Sequence, residues 1–182
     1  MASRLGSDAM ANPNDARDPV TGLFNRQYLE DALPREVSRA RRRGQSIGLA
    51  ALSLEIKTTI DRPARVPSDV VLWEFGYRLQ LQLRAEDIAC RVGAHEFVVV
   101  MPDIASTALA CRTVELRGLL ERQYAGDGND LGGWAVITPA IAAFPQDGLT
   151  AQAVMRHLSA ALERARATAG LSRTDGRARP HP

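Results

Sequence analysis

The segment that most constrains the fold of this chain lies near its middle, between Asp87 and Met101. Two runs rich in apolar and β-branched residues, 88–92 and 96–101, flank a short turn that contains Gly93. This pattern is typical of a β-hairpin, because a tight turn between two extended runs pairs them as antiparallel strands. We therefore predict a sheet that is built around this hairpin.

Helical and strand periodicities place the other elements on either side of the hairpin. Caps and apolar stripes predict four helices, at 25–43, 69–84, 106–123 and 150–169. Apolar runs predict two further strands, 47–56 and 134–143, and Pro139 requires an edge position or a bulge in the second. The middle of the chain then reads βαββαβ. We therefore predict an α/β (α+β) fold of the ferredoxin-like or palm type, with a central, mostly antiparallel sheet flanked by helices.

The charge of the chain raises the question of a nucleic-acid partner. The 182 residues suit one globular domain with a formal net charge of +2, and all but one of the 23 basic residues are arginine. One arginine cluster, within 35–43, falls at the end of a predicted helix, where cations complement the helix dipole. A second lies within 164–182, and aromatic residues, which would stack on bases, make up only 5% of the chain. We therefore predict no nucleic-acid partner.

The two ends of the chain and its cysteines bear on location. Residues 1–14 are small and polar without an apolar core, which indicates a linker or an expression remnant and not a signal peptide. Residues 174–182 are predicted to form a disordered basic tail. Cys90 and Cys111 lack metal-ligand spacing, so we predict reduced thiols and no metal. No apolar run is long enough to span a membrane, and we expect a cytoplasmic protein.

Two motifs carry a resemblance to a known family. The segment Asp18-Pro-Val-Thr-Gly-Leu-Phe-Asn-Arg26 resembles the D-x-L-T-G-L-x-N-R motif of GGDEF domains, the diguanylate cyclase family. The segment Arg91-Val-Gly-Ala-His-Glu-Phe97 is similar to the R-x-G-G-D-E-F hairpin of that family. The resemblance covers residues 15–173. It implies a palm-like domain and, in active members, the condensation of two GTP molecules to cyclic di-GMP across a dimer.

The resemblance also implies a metal site, and here the residues depart from it. Phosphoryl transfer of this type uses divalent ions held by carboxylates. At the end of the first long strand, Ser53 and Glu55 stand where the family has a D-x-D pair, and His95 and Glu96 stand at the hairpin D-E. A hydroxyl and an imidazole are poor Mg²⁺ ligands. We therefore predict a degenerate GGDEF domain without cyclase activity, with Mg²⁺ bound only if residual GTP binding persists.

Further departures affect the nucleotide site that the resemblance implies. Ala94 replaces the second hairpin glycine, and Asp69 is the one residue kept from the G-H-x-x-G-D segment that helps to hold guanine. Arg166 stands in place of a phosphate-contacting lysine. We therefore treat Asp69 and Arg166 as a vestigial nucleotide site. His95 has an alternative interpretation as a transition-metal ligand, but neighbouring Glu96 points to the opposite face of a strand, which favours a plain turn histidine.

One feature of the family is retained. Arg84-Ala-Glu-Asp87 places an R-x-x-D motif six residues before Gly93, where the resemblance implies the inhibitory site that binds cyclic di-GMP. A guanidinium fork reads a guanine edge or a phosphate, and a carboxylate accepts hydrogen bonds from guanine N–H groups. The family often adds an arginine from the following helix, which here is Arg112 or Arg117. Alternatively, Arg84 and Asp87 cap the helix and pair with each other.

These observations leave three functions to separate. We predict a cyclic di-GMP receptor or regulatory module in bacterial signal transduction, with no cofactor and with cyclic di-GMP as ligand. A ligand-free alternative is a dimerisation or docking domain that contacts a second copy or another signalling domain through the apolar strand Val98–Met101 or the alanine-rich last helix. A third is residual cyclase activity with Glu55, Asp69 and Glu96 as a rearranged metal site, or GTP binding without turnover, for which Asp69 and Arg166 are kept.

Overall fold

The structure, a computed structural model, describes residues 16–56, 68–126 and 135–174. The predicted linker 1–14, the last eight residues of the predicted tail and most of the loop between the first long strand and the next helix lie outside these ranges. The elements in chain order are β1 (Phe24–Asn25), α1 (Arg26–Arg43), β2 (Ile47–Ile56), α2 (Ser68–Leu81), β3 (Ile88–Arg91), β4 (Glu96–Pro102), α3 (Ser106–Gly126), β5 (Ala135–Phe144) and α4 (Ala151–Thr174).

Five strands form one sheet in the order β1-β3-β4-β2-β5. The pairs β3–β4, β4–β2 and β2–β5 are antiparallel, and only the β1–β3 pair is parallel. The predicted βαββαβ core and its mostly antiparallel sheet are therefore confirmed, with β2, β3, β4 and β5 as its strands. Pro139 lies in β5, at the edge of the sheet as predicted, because a residue without an N–H group is tolerated where one side of the strand is unpaired.

The structure differs from the predicted elements mainly at β1, α2 and α4. The two-residue strand β1 was not predicted, because two residues are too few to show a periodicity; Asn25 ends it and caps α1 by accepting a hydrogen bond from Tyr28 N at 2.9 Å. Helix α2 ends at Leu81, three residues early, since the next backbone N–H groups bond only three residues back. Helix α4 extends to Thr174 and takes in the first residue of the predicted tail.

The sheet is covered on both faces. Helices α2 and α3 pack on one face with Phe75 and Phe97, whose ring centroids lie 4.5 Å apart, and α1 and α4 pack on the other. Strand β4 is central, and every side chain of the segment Val98–Met101 is at most 3% exposed. The prediction that this segment is a docking surface is therefore wrong, because its apolar side chains form the core. Among the described helices, none combines the length and the apolar character needed to cross a membrane.

The two cysteines are both free, but they lie in opposite environments. Cys90 is fully buried in β3, and burial raises the pKa of its thiol to about 12, whereas Cys111 on α3 is exposed. Because the thiolate is the reactive form, we expect a colorimetric thiol reagent at neutral pH to modify one cysteine in the folded protein and two after unfolding. Rapid modification of both thiols in the folded protein would contradict this assignment.

Candidate functional site

The hairpin turn between β3 and β4 is held by backbone contacts. Val92 N and Gly93 N both donate to Glu96 O, at 2.8 and 3.3 Å, and Leu54 N donates to His95 O at 2.9 Å. The last contact fixes the turn to the end of β2. A Cβ atom at Gly93 would lie 3.2 Å from the Cβ atom of Glu96, which is tighter than an ordinary contact. These contacts therefore hold Glu96 beside the end of β2 and restrict the conformation of the turn.

Arg91 ties this turn to the opening motif, residues 18–26. Its guanidinium donates to the Asp18 carboxylate at 3.0 and 3.2 Å and to the backbone oxygens of Gly93 and Ala94. Asp18 also accepts from Thr21 N and Thr21 Oγ1. Partial burial acts to raise the pKa of Asp18, but the bonds from Thr21 and Arg91 outweigh it and hold the pKa below its usual value. The two sequence motifs thus form one structural unit.

Ser53 and Glu96 lie where the resemblance implies a site for metal ions. They are directly opposite each other in the β2–β4 register, so both side chains leave the same face of the sheet, beside α4. Arg166 of α4 reaches them: its Nη2 donates to Glu96 Oε1 at 2.7 Å and to Ser53 Oγ at 2.9 Å. Its Nη1 donates to Glu163 at 3.1 Å. A cation of the chain itself therefore bridges the two positions.

The charges around Arg166 keep it ionised. Partial burial acts to lower the pKa of Arg166, but hydrogen bonds and charge attraction from Glu96 and Glu163 outweigh it and raise the pKa. The role of Glu163 was not predicted. Its signal in the sequence is the three-residue spacing to Arg166, which places both side chains on one helix face, but only the packing of α4 shows that this face meets the sheet.

The other positions of the predicted nucleotide site do not converge with Arg166. Asp69 is exposed in the first turn of α2, and all three guanidinium nitrogens of Arg166 are occupied by Ser53, Glu96 and Glu163. Glu55 is exposed near the end of β2. The described residues contain no group of three or more histidine, cysteine, aspartate or glutamate side chains placed to hold a metal ion.

The Arg166 bridge has a measurable effect on stability. We expect Arg166→Gln to lower the free energy of unfolding by about 1–2 kcal/mol, because Glu96 loses a charge-assisted hydrogen bond in a partly buried position. Arg164→Gln on the exposed side of the same helix is the matched control, with an expected change within about 0.5 kcal/mol. Urea unfolding of both variants measures the difference. Equal effects would show that the bridge contributes nothing.

The RxxD corner, residues 84–87, connects the end of α2 to β3. Asp87 Oδ2 accepts a hydrogen bond from the backbone N of Arg84 at 2.9 Å, and Asp87 N donates to Arg84 O at 3.1 Å. The carboxylate therefore closes the turn through the backbone and does not pair with the guanidinium. Arg84 itself is exposed, and within the described ranges its guanidinium has no hydrogen-bond or ion-pair partner.

Arg112 of α3 lies beside this corner. Its Nη2 donates to the backbone oxygen of Gln82, two residues before the corner, and its Nη1 pairs with Glu115 at 2.8 Å. Burial raises the pKa of Asp87 above its usual value, and the nearby charges of Arg84 and Arg112 oppose this only in part. The corner thus combines one half-buried carboxylate with two guanidinium groups.

Arg117 lies elsewhere, although the sequence offered it as an equal alternative. Its Nε donates to Glu121 Oε1 at 3.0 Å, and the same oxygen accepts from Ile137 N of β5 at 3.1 Å. Arg117 is therefore linked to β5 through the carboxylate of Glu121. The structure brings Arg84, Asp87 and Arg112 together and leaves Arg117 out of the group.

The family model described as "Diguanylate cyclase, GGDEF domain" matches residues 15–170. This chain belongs to the GGDEF domain family. The match takes in the opening motif, the hairpin, the RxxD corner and all but the last four residues of α4.

Individual proteins of known sequence or structure resemble the chain over most of its length. An uncharacterized signaling protein of Caulobacter vibrioides is 32% identical over 154 residues, which are 82% of this chain but 18% of that protein. A sensory box/GGDEF family protein of Caulobacter crescentus has a crystal structure that matches with a TM-score of 0.68 at 29% identity, covering 84% of this chain and 99% of the other. The coiled coil and GGDEF domain of DgcB from Caulobacter crescentus, solved with c-di-GMP, shares the fold with a TM-score of 0.72 at 23% identity, covering 85% and 82%. The chain thus spans less than a fifth of the curated relative.

Proposed function

We propose that this GGDEF domain is catalytically inactive and acts in cyclic di-GMP signalling by binding cyclic di-GMP at the RxxD corner. The observation that carries the proposal is the guanidinium of Arg84, which has no partner among the described residues, beside the half-buried carboxylate of Asp87 and next to Arg112. The acceptor edge of guanine and a phosphate both bind a guanidinium donor, and the N–H groups of guanine bind an acceptor such as a carboxylate.

Each side chain has a chemical role in this proposal. The Arg84 fork donates to guanine O6 and N7, which are both acceptors on the same edge of the base. The Asp87 carboxylate accepts from guanine N1–H and N2–H through its second oxygen, since Oδ2 already accepts from the backbone of Arg84. Arg112 supplies positive charge for a phosphate of the ligand. Its position is defined by Gln82 and Glu115 before any ligand arrives, which reduces the entropy lost on binding.

The pKa of Asp87 makes the proposed site sensitive to pH. Burial raises this pKa in the unliganded protein, so the carboxylate becomes protonated at a higher pH than an ordinary aspartate. A protonated carboxyl loses its charge and part of its acceptor capacity. We therefore expect the affinity for cyclic di-GMP to fall as the pH is lowered from 7 toward that raised pKa, as measured by calorimetry at a series of pH values. An affinity that stays constant over this range would exclude an ionised Asp87 from the site.

The absence of catalysis is inferred from the residues around Ser53. Mg²⁺ requires hard anionic oxygens, but here a hydroxyl and an imidazole replace two carboxylates. The guanidinium of Arg166 bridges Ser53 and the remaining Glu96, and its positive charge opposes the approach of a divalent cation. These residues do not fit the metal ions that the cyclase reaction of the family uses.

The test separates binding from catalysis in one preparation. Isothermal titration with cyclic di-GMP is expected to give saturable heat at micromolar ligand. Cyclic di-AMP should give none, because adenine presents an N–H₂ donor in place of O6 and has no N1–H. Incubation with GTP and Mg²⁺ or Mn²⁺ should yield no cyclic di-GMP. Two results would overturn the proposal: no heat at high micromolar cyclic di-GMP, or cyclase turnover that is lost in Glu96→Ala.

A further inference from the structure

Helix α2 exposes a stripe of large apolar side chains that neither the fold nor the proposed ligand site uses. Val70, Trp73, Tyr77 and Leu81 are 43, 55, 52 and 64% exposed. Their spacings of three, four and four residues place them within an arc of about 80° on the helix surface. The rings of Trp73 and Tyr77 stack in parallel, with centroids 5.7 Å apart and planes 3° apart. The α2 stripe is therefore one continuous ridge.

The α2 stripe is additional to the face through which α2 packs on the sheet. That face is formed by buried Val71, Leu72, Phe75 and Leu79. A helix on the surface of a monomer carries one apolar face and turns a polar face to water. Apolar side chains on a second face of the same helix mark an interaction surface, because leaving them in water has no benefit for folding.

Charged groups at the two ends of the stripe indicate what covers it. Asp69 is exposed in the first turn, and Arg84, whose guanidinium pairs with no other described residue, follows the last turn. The other two charged residues of the helix, Glu74 and Arg78, pair with each other. The stripe thus has an apolar centre with a negative group at one end and a positive group at the other, which is a self-complementary pattern for a two-fold contact.

We propose that the α2 stripe is the contact surface of a weak homodimer in which two α2 helices pack antiparallel. In that arrangement Trp73 of one copy lies against Tyr77 of the second copy, and Val70 lies against Leu81. Asp69 then comes within reach of Arg84 of the second copy. Because the proposed ligand site also uses Arg84, the dimer is proposed for the ligand-free protein, in which this guanidinium is available to the second copy.

The area of the α2 stripe determines how tightly we expect the dimer to bind. Aromatic side chains bury about 150–250 Å² each when fully covered, so four half-exposed side chains offer roughly 300–400 Å² per copy. Stable complexes bury about 800 Å² per partner. We therefore expect a transient dimer with a dissociation constant on the order of 100 µM.

Sedimentation of the ligand-free protein between roughly 10 µM and 1 mM covers the range in which such a dimer forms. We expect the double variant Trp73→Ala, Tyr77→Ala to raise the dimer dissociation constant at least about tenfold. Alanine preserves the helix, so folding is retained. The matched control is Leu149→Ala, which removes an equally exposed apolar side chain, 66% exposed, away from α2 and should leave dimerisation unchanged.

A charge exchange tests the antiparallel arrangement itself. Asp69→Arg and Arg84→Asp should each weaken the dimer, and the two substitutions combined should restore it, since each copy then presents the reversed pair. Three outcomes overturn the proposal: a protein that stays monomeric at about 1 mM, an equal effect of Leu149→Ala and the double alanine variant, or a combined charge exchange that restores nothing. A stripe that binds only another protein would give the first outcome.

Discussion

Replacing Arg84 with alanine is expected to raise the dissociation constant for cyclic di-GMP at least about hundredfold. Two charge-assisted hydrogen bonds to guanine are lost, and a hundredfold change corresponds to only about 2.7 kcal/mol. The stability of the protein should change by less than about 0.5 kcal/mol, because the guanidinium has no partner among the described residues of the unliganded domain. Calorimetry and urea unfolding of the same preparation measure the two quantities.

The controls for Arg84 come from α3. Arg117→Ala removes an arginine that the sequence alone made an equal candidate, and it should leave the affinity unchanged within about twofold, because its partners are Glu121 and, through that carboxylate, β5. Arg112→Ala should weaken binding about tenfold, since it supplies charge without the guanine fork. A loss on Arg117→Ala as large as that on Arg84→Ala would show that the effect is general to arginine removal and not specific to the corner.

Gly76→Ala is expected to lower the free energy of unfolding by about 2–3 kcal/mol, although alanine is the better helix former by about 1 kcal/mol. A Cβ atom at this position would lie 2.8 Å from Thr21 Cβ and 2.9 Å from Thr21 O. Thr21 does not give way easily, because it is 5% exposed and its backbone and side chain both donate to Asp18. Helix α2 must then move away from the opening motif.

Gly170→Ala on α4 is the matched control for Gly76→Ala. A Cβ atom there meets nothing within 4 Å, so only the helix propensity changes and the protein should gain about 0.5–1 kcal/mol. Thermal unfolding should shift the midpoint down by roughly 5–10 °C for Gly76→Ala and up by a few degrees for the control. Loss of stability in both variants would contradict the steric explanation and point to a general cost of substituting glycine.

Much of the fold follows from local sequence patterns. The hairpin and the helices that begin at Asn25 and Thr150 depend on contacts between residues near one another in sequence. Strand β1 could not be found in this way, because its two residues extend only by pairing with Cys90 and Arg91, more than sixty positions later. The early end of α2 likewise depends on the turn that Asp87 closes.

The surface of α2 also combines a feature that the sequence predicted with one that only the packing shows. Helical spacing predicted one apolar stripe on α2, and the residues of that stripe, Val71, Leu72, Phe75 and Leu79, are buried in the core. The second row of apolar side chains on the same helix was not predicted. Phe75 packs against Phe97, and Trp73 and Tyr77 are left at the surface.

From the sequence alone, the resemblance to GGDEF domains implied that Ser53 and His95 stand where active members have carboxylates, and a hydroxyl and an imidazole are poorer Mg²⁺ ligands than carboxylates. Only the tertiary structure decided what occupies that position, since Arg166 reaches Ser53 across 113 residues of sequence. It also decided between Arg112 and Arg117. The two lie about 140° apart around α3, so the packing of α3 beside α2 turns one toward Asp87 and the other toward β5.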